Sequence, residues 1–166
     1  MRTLKGLYAI ADTQCIGTDN IVNAVSEVLS AGTNIIQYRD KLNNYGTRYM
    51  IANKIKSLTA KHKALLIVND DVLLAKSIDV DGVHLGKEDC SISEALNYLG
   101  PNKIIGASCY NNYDNACQAV KAGANYVAFG SFFSSLTKPS ALRASTSLIS
   151  RARKELKVPV CAIGGI

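Results

Sequence analysis

The sequence alternates between short apolar runs and longer segments with helical periodicity. Apolar runs rich in Val, Ile and Tyr recur seven times, at residues 6–11, 34–38, 64–68, 82–85, 103–107, 126–129 and 158–163. The segments between them place apolar residues three and four positions apart, as at Ile21, Val25, Val28 and Leu29. Continuous short apolar runs are typical of strands that are buried on both faces. The alternation therefore predicts a parallel sheet whose strands are connected by helices.

Local signals mark some of the helix ends. Ser91 and Glu94 have the spacing of a capping box, which predicts that a helix starts there. Gly32 and Gly123 each stand just before a predicted strand, where a glycine ends the preceding helix. The repeating unit is therefore a strand followed by a helix.

Strand and helix order alone is compatible with both an open doubly wound sheet and a closed barrel. Polar residues and glycines, however, follow nearly every predicted strand, and an open sheet would concentrate such groups at one switch point. These residues are Gln37, Arg39, Lys41, Asn69, Asp70, Asp89, Ser108, Ser135, Thr137, Lys138, Gly164 and Gly165. The pattern favours a TIM-type (β/α)8 barrel.

The predicted strand count is one short of that barrel. The 166 residues, of which 48% are hydrophobic, suit one domain with a substantial core. The seventh predicted strand is followed directly by the chain end at Ile166. We therefore expect a single barrel domain over residues 1–166 that is incomplete at its C-terminal side and lacks the eighth βα unit.

Composition and charge predict the cellular location of the protein and the kind of partner it binds. No apolar stretch is long enough to span a membrane, and residues 1–12 do not resemble a signal peptide, so we expect a cytoplasmic protein. The five cysteines contain no CxxC pair and are interpreted as reduced thiols. A net charge of +6 favours anionic partners, but the basic residues are scattered, which favours small phosphorylated substrates over nucleic acid. The sequence leaves a homo-oligomer open.

The segment after the second strand, residues 37–41, is the candidate substrate-binding segment. If the extended conformation continues, Gln37, Arg39 and Lys41 point to the same side. An amide, a guanidinium and an ammonium together suit the oxygen atoms of a diphosphate. The alternatives are simple solvation or an ion pair of Arg39 with Asp40. We include Tyr38 and Asp40 in the candidate substrate-binding set.

Carboxylates follow the third and fourth strands. Asp70 and Asp89 are the candidate ligands of Mg²⁺, because this ion is commonly held by one or two carboxylates together with waters and substrate phosphates. Asn69 lies beside the first of them. The competing explanation is that these residues cap helices, which Asp and Asn often do where a strand leads into a helix.

The loop after the sixth strand, residues 131–139, is rich in hydroxyl groups and carries one lysine, so it is a candidate phosphate-binding loop. Gly164 and Gly165 after the seventh strand would allow close approach of a ligand to the backbone. An ordinary turn explains each feature equally well. His84 is interpreted either as a core or rim histidine or as a ligand contact. Cys109 has no evident histidine partner, which argues against nucleophilic catalysis.

Taken together, the segments resemble the thiamine-phosphate synthase family. The resemblance rests on GLYAIAD, IIQYRDK, LIVNDD, DGVHLGKED, IIGAS, YVAFGSFFSSLTK and VPVCAIGGI, which occur in this order across residues 6–166. It implies a βα-barrel that couples a hydroxymethylpyrimidine diphosphate to a thiazole phosphate with Mg²⁺ as cofactor. It also implies that diphosphate leaves first and that the thiazole nitrogen captures the resulting pyrimidinylmethyl cation.

The resemblance also implies roles for individual residues. Gln37, Arg39, Lys41 and Asn69 would bind the pyrimidine diphosphate, and Asp70 and Asp89 would ligate Mg²⁺. Ser108 and Lys138 would face the same substrate, His84 would lie near it, and Ser135, Thr137 and Gly165 would contact the thiazole phosphate. The expected catalytic residues are Arg39, Lys41, Ser108 and Lys138. In the family an eighth strand helps to bind the thiazole phosphate, so we expect that half of the site to be incomplete here.

Three alternatives stay open at this point. A thiazole tautomerase-like paralogue resembles the synthase in fold, but would not be expected to keep Arg39, Lys41, Asn69, Asp70 and Asp89 together. A non-catalytic protein that binds a phosphorylated ligand is a different class of answer, motivated by the incomplete barrel. A barrel that acts on a sugar or indole phosphate is the third, and it would not need the paired aspartates.

Overall fold

The structure is a computed structural model that describes residues 4–134 and 143–166. Strands and helices alternate along these residues, which confirms the predicted α/β class. The strands are β1 (Tyr8–Asp12), β2 (Ile35–Arg39), β3 (Leu65–Asn69), β4 (Gly82–Leu85), β5 (Ile104–Tyr110), β6 (Tyr126–Phe129) and β7 (Val160–Ala162). All seven predicted strands are present, with bounds that differ from the prediction by at most three residues.

The helices are α1 (Thr13–Ile16), α2 (Ile21–Ser30), α3 (Tyr45–Lys61), α4 (Val72–Ser77), α5 (Ile92–Leu99), α6 (Tyr113–Lys121) and α7 (Thr146–Glu155). The sequence pattern did not reveal α1 and α4, because helices of four and six residues are too short to display a helical period. Gly32 and Gly123 adopt positive φ angles of 93° and 105° after α2 and α6, as predicted.

The βα connections supply the residues that start the helices. The side chains of Asn44, Asp71, Asn112 and Ser145 accept hydrogen bonds from backbone amides in the first turns of α3, α4, α6 and α7. Ser91 and Glu94 form the predicted capping box at α5, with reciprocal bonds of 3.2 and 2.8 Å. Each cap stabilises its helix by about 1 kcal/mol and fixes where the loop before it ends.

The chain divides into two compact units. The first unit contains the described residues up to His84 together with Tyr98–Lys103. Its strands pair in parallel in the order of the sequence, with Asp12 in register with Arg39 and Asn69 in register with His84. Its core consists of apolar residues from the strands and from the inner faces of α2, α3 and α4, namely Ile21, Val25, Ile36, Ile55, Leu66, Ile67 and Leu74.

The second unit contains Leu85–Asn97 and the described part of Ile104–Ile166. Here β5 pairs with β6 and β6 pairs with β7, again in parallel. Phe129 and Val127 of β6 are completely buried and pack with small residues of α6 and α7, namely Ala116, Ala119 and Ala152. Cys109 lies in this core, and burial raises the pKa of its thiol to about 12. The thiol is therefore protonated and structural at neutral pH, in agreement with the sequence analysis.

All five cysteines are free thiols. Within residues 4–134 and 143–166, no helix combines the length and the apolarity needed to cross a membrane.

Candidate active site

Arg39, the last residue of β2, forms an ion pair with Asp12, the last residue of β1. Its Nη1 atom lies 2.6 Å from Asp12 Oδ2 and 3.2 Å from Gln14 Oε1. The two strand ends are in register, so both side chains leave the sheet on the same face. Asp12 also accepts a hydrogen bond from the Gln14 amide, and its own side chain is therefore held in place. The pair fixes the direction of the guanidinium at the carboxyl ends of the strands.

Gln37 lies two residues earlier on the same face and is almost completely buried. Its Nε2 atom donates a hydrogen bond of 2.8 Å to the Tyr8 hydroxyl on β1. The alternation predicted for positions 37 and 39 therefore holds, because each side chain meets a partner on β1. The strand ends at Arg39, so Lys41 belongs to the following bend and not to the extended segment.

Tyr38 and Asp40 form a separate buried network. The Tyr38 hydroxyl donates to Asp40 Oδ2 at 2.7 Å, and the Thr13 hydroxyl donates to Oδ1 at 2.9 Å. The same carboxylate also accepts hydrogen bonds from the Leu42 and Asn43 amides and from the Asn43 side chain. These five hydrogen bonds fix the loop that carries Lys41.

The network also sets the protonation of both groups. Burial and the hydrogen bond to Asp40 raise the pKa of Tyr38, which therefore stays protonated. Burial alone would raise the pKa of Asp40, but hydrogen bonds from Asn43, Tyr38 and the backbone outweigh this effect and lower it to about 2. Asp40 is thus a carboxylate throughout the neutral range. The prediction that Tyr38 and Asp40 contact a substrate remains a prediction.

Lys41 pairs with Asp70 across the carboxyl ends of β2 and β3. Its Nζ atom lies 2.5 Å from Asp70 Oδ2. The ion pair considered from the sequence, between Arg39 and Asp40, is not the one that forms, because adjacent residues point in different directions. Each candidate cation instead meets a carboxylate that is distant in sequence, 27 and 29 residues away.

The capping explanation for the acidic segment applies to Asp71, not to Asp70. Asp71 accepts the hydrogen bond from the Leu74 amide at the start of α4, and it also binds Arg48. Asp70 adopts a positive φ of 62°, which is uncommon for a residue with a side chain and costs roughly 1–2 kcal/mol. Its amide donates to the backbone oxygen of His84, which anchors the turn to β4. The Asp70 carboxylate is therefore not needed to start the helix.

Asn69 and His84 are neighbours in register at the ends of β3 and β4. Asn69 is half-buried, and His84 is 93% buried since only 7% of its surface is exposed. Both therefore lie within the first unit beside the turn that carries Asp70. Eight of the sequence-predicted site residues lie on β2, β3 and β4 or directly after these strands, namely Gln37, Tyr38, Arg39, Asp40, Lys41, Asn69, Asp70 and His84.

The second unit carries Asp89 and Ser108. Asp89 Oδ2 accepts a hydrogen bond of 2.7 Å from the Gly86 amide, which closes the turn after β4. This aspartate does not cap α5, since Ser91 has that role. Ser108 lies on β5 where the register with β6 shifts before Tyr110. The Tyr110 hydroxyl in turn accepts a hydrogen bond from the Lys87 amide, which connects β5 to the loop containing Asp89.

The two glycines after β7 contact protein backbone. The Phe133 amide donates to the Gly164 oxygen at 2.9 Å, and the Phe132 amide donates to the Ile163 oxygen at 3.2 Å. A Cβ atom on Gly164 would lie 2.1 Å from Ser131 Oγ, so only glycine fits there. Gly165 contacts the same loop near Phe133 and Ser134. Ser135, Thr137 and Lys138 lie outside the described residues.

The donor set at Asp70 fits a hard divalent cation. Its carboxylate already holds a cationic group, the Lys41 ammonium, and carboxylate oxygens are the ligands that Mg²⁺ prefers. In the described part of the chain, no group of three or more His, Cys, Asp or Glu side chains is arranged to hold a metal ion by itself. A metal at Asp70 would therefore depend on waters and substrate oxygens for most of its ligands.

Asp12 and Gln14 were not among the residues predicted from the sequence. Asp12 ends the first strand just as the other candidate residues end theirs, and this position was the available signal. The role of Asp12 as partner of Arg39 depends on the pairing of β1 with β2, which places the two residues in register.

Charged side chains at the carboxyl ends of parallel strands in βα units are typical of TIM-type α/β enzymes, whose active sites lie at that end of the strands. The sequence profile of the family described as thiamine monophosphate synthase matches residues 7–166. The thiamine-phosphate synthase of Nitrosococcus oceani is 48% identical over 164 residues, 99% of this chain and 76% of that protein. The synthase of Thiobacillus denitrificans is 46% identical, over 100% of this chain and 79% of that protein.

A solved structure agrees with these relatives. The thiamine phosphate pyrophosphorylase of Pyrococcus furiosus superimposes with a TM-score of 0.83 at 36% identity, covering 96% of this chain and 74% of that one. The chain therefore belongs to the thiamine monophosphate synthase family, a family of thiamine biosynthesis enzymes, as the sequence motifs indicated.

Proposed function

We propose that this protein joins hydroxymethylpyrimidine diphosphate to a thiazole phosphate, forming thiamine phosphate and releasing diphosphate. Family membership supports the reaction class. The observation that carries the proposal for this chain is the placement of two cations, Arg39 and Lys41, each held by a carboxylate at the carboxyl ends of β1, β2 and β3. A net charge of +6 also suits two anionic substrates.

The proposed reaction is dissociative. The bond between the methylene carbon of the pyrimidine and the diphosphate oxygen breaks, and its electron pair leaves with diphosphate. The thiazole nitrogen then donates its lone pair to the pyrimidinylmethyl cation. Negative charge grows on the leaving group, so the protein needs fixed cations more than a general base.

Arg39 and Lys41 are the proposed catalytic groups in the first unit. The two hydrogen bonds of Arg39 to residues that the structure describes both leave from Nη1, whereas a guanidinium offers five N–H donors in a fixed fork. Asp12 would therefore orient the guanidinium while it binds phosphate oxygens. Ser108 and Lys138 complete the proposed catalytic set. The proposed substrate contacts are Gln37, Tyr38, Asp40, Asn69, His84, Ser135, Thr137 and Gly165.

Asp70 and Asp89 are the proposed ligands of Mg²⁺. When bound, the ion would neutralise part of the charge on the diphosphate and so favour its departure. Around it, Arg39 and Lys41 would hold the phosphate oxygens, and the network centred on Asp40 would keep the Lys41 loop in place. A cytoplasmic location and the exclusion of nucleic acid remain predictions.

The test is formation of thiamine phosphate from both substrates by the purified protein, with Mg²⁺ and with EDTA. We expect product only with the metal. Mg²⁺-dependent binding of diphosphate without product would instead indicate a non-catalytic phosphate-binding protein. Absence of both diphosphate binding and product would overturn the proposal and favour the tautomerase-like alternative or a barrel for another phosphate ester.

A further inference from the structure

The contact between Lys41 and Asp70 joins two groups to which the proposed function gives different partners. Lys41 is assigned to the diphosphate, and Asp70 is assigned to the metal. In the structure their charged atoms instead lie 2.5 Å apart, with 47% of the lysine side chain and 22% of the aspartate side chain exposed. One carboxylate oxygen therefore meets an ammonium group where a divalent cation would also bind.

The two cations compete for this oxygen. An ammonium at hydrogen-bond distance and a metal ion on the same oxygen would repel each other, so binding of either one there disfavours the other. The pair is also easy to separate, since ion pairs that are this accessible to solvent contribute only about 0.2–1 kcal/mol. Lys41 sits on a bend beyond the end of β2 and has a long, flexible stem, which lets its ammonium move without moving the strand.

The backbone conformation of Asp70 also indicates that its carboxylate has a role other than helix capping. The residue keeps a positive φ of 62°, although the neighbouring Asp71 already caps α4. Asp40, which neighbours Lys41 in sequence, is held by five hydrogen bonds and cannot serve as an alternative partner without losing them. The loop is thus fixed by these hydrogen bonds, whereas the Lys41 side chain that it carries is 47% exposed.

We infer that Lys41 is an exchangeable internal counterion of Asp70, which a divalent cation displaces and which then binds the diphosphate of the substrate. This inference rests on the proposed function. It adds an order of events and a coupling, because metal binding releases the lysine for diphosphate, and diphosphate draws the lysine away from the metal ligand. By linkage, each ligand then favours binding of the other.

The decisive variant is Lys41→Met, which keeps the stem and removes the charge. Mn²⁺ binding to the free protein is measured by electron paramagnetic resonance of the unbound ion. We expect the variant to bind Mn²⁺ about two- to fivefold more tightly, because the competing ammonium is gone. The affinity for the Mg–diphosphate complex, measured by calorimetry, should fall by roughly 10- to 100-fold, because one charged hydrogen bond to phosphate is lost.

Lys103→Met is the matched control. Lys103 Nζ also lies 2.5 Å from an aspartate, Asp79, in the same unit, so this variant changes the net charge equally. It should leave both affinities at the values of the wild-type protein. If it tightens Mn²⁺ binding as much as Lys41→Met does, the effect is one of net charge and the inference is wrong. Lys41→Gln provides a second neutral variant if Lys41→Met does not fold.

Asp70→Asn separates failure of the inference from failure of the proposed metal site. If this variant loses Mn²⁺ binding while Lys41→Met binds Mn²⁺ as the wild type does or more weakly, Asp70 is a ligand and only the exchange is wrong. If Asp70→Asn binds Mn²⁺ as well as the wild type, Asp70 is not a ligand, and the metal site of the proposed function is wrong together with the exchange.

Discussion

The first unit contains two lysine–aspartate pairs that look alike locally and lie at opposite ends of the strands. Lys41–Asp70 lies at the carboxyl ends of β2 and β3, and Lys103–Asp79 lies just before β5 and β4, at the amino ends. Both pairs have N–O distances of 2.5 Å, and both aspartates adopt positive φ angles, 62° and 50°. The N–O distance and the φ angle of the aspartate therefore do not distinguish the two pairs.

The two pairs differ in what else the lysine holds. Lys103 also donates to the backbone oxygen of Val80 at 2.7 Å, so it secures the connection between α4 and β4. Its hydrogen bond lowers the pKa of Asp79, a residue whose side chain is 78% exposed. Lys41 instead lies among the residues assigned to substrate and metal. In βα-barrel folds, the amino ends of strands serve stability and the carboxyl ends serve chemistry, and the two pairs follow this division.

The largest expected difference between the carboxyl and amino ends of the strands concerns the rate of thiamine phosphate formation. Asp70→Ala should lower the rate of thiamine phosphate formation by about 10²- to 10³-fold, because a proposed ligand of the metal that stabilises the leaving group is lost. Asp79→Ala should leave the rate unchanged. Steady-state assays with Mg²⁺, on variants whose circular dichroism matches that of the wild type, provide the measurement. Equal losses in both variants would remove the distinction.

A second difference concerns the stability effects of replacing glycines at the carboxyl and amino ends of the strands. Gly164 follows β7 and Gly100 precedes β5, and both have a φ of 99°. A Cβ atom would meet Ser131 Oγ at 2.1 Å at position 164, but nothing within 4 Å at position 100. Gly100→Ala should therefore cost about 1–2 kcal/mol from backbone strain alone, and Gly164→Ala about 2–4 kcal/mol. Urea unfolding measures the free energy of unfolding of both variants. Similar losses would show that Ser131 shifts to accommodate the Cβ atom at position 164.

The Asp40 network predicts a pH dependence for the carboxyl-end loop. The pKa of Asp40 is lowered from 3.8 to about 2 in the folded protein. A lowered carboxyl pKa contributes stability that is fully present above the unfolded value and is lost as pH falls through the folded value. The stability advantage of the wild type over Asp40→Asn should thus shrink by about 1–2 kcal/mol between about pH 5 and pH 2. Chemical denaturation at several pH values tests this, and a constant difference would contradict it.

The smallest expected effect compares the stabilities of the two lysine variants. Lys103→Met should lower the free energy of unfolding by about 0.5–1.5 kcal/mol, because the Val80 oxygen and Asp79 both lose a donor. Lys41→Met should lower it by only about 0.2–1 kcal/mol, since an exposed ion pair contributes little. Thermal and urea unfolding of both variants give the comparison. A larger loss for Lys41→Met would mean that its ion pair serves the fold.

The sequence predicted the seven strands, the class of fold and the family because each of these depends on local patterns. Apolar runs and helical periods identify β1 to β7 and the longer helices, and two of those strands have the predicted bounds. The helices α1 and α4 were not predicted, because they contain too few residues to show a helical period. The candidate residues Gln37, Arg39, Lys41, Asn69 and Asp70 were found because polar groups at strand ends stand out against apolar runs.

Only the tertiary structure decided the partners. Arg39 binds Asp12 and not its sequence neighbour Asp40, since the pairing of β1 with β2 brings together residues 27 positions apart. Asp71 caps α4, whereas the carboxylate of Asp70 pairs with Lys41, which a run of Asn69, Asp70 and Asp71 does not reveal. Local periodicity fixes which residues are at a strand end, whereas charge pairing depends on which strands are neighbours. For that physical reason the sequence by itself determined the groups at the site, and the fold determined how they are paired.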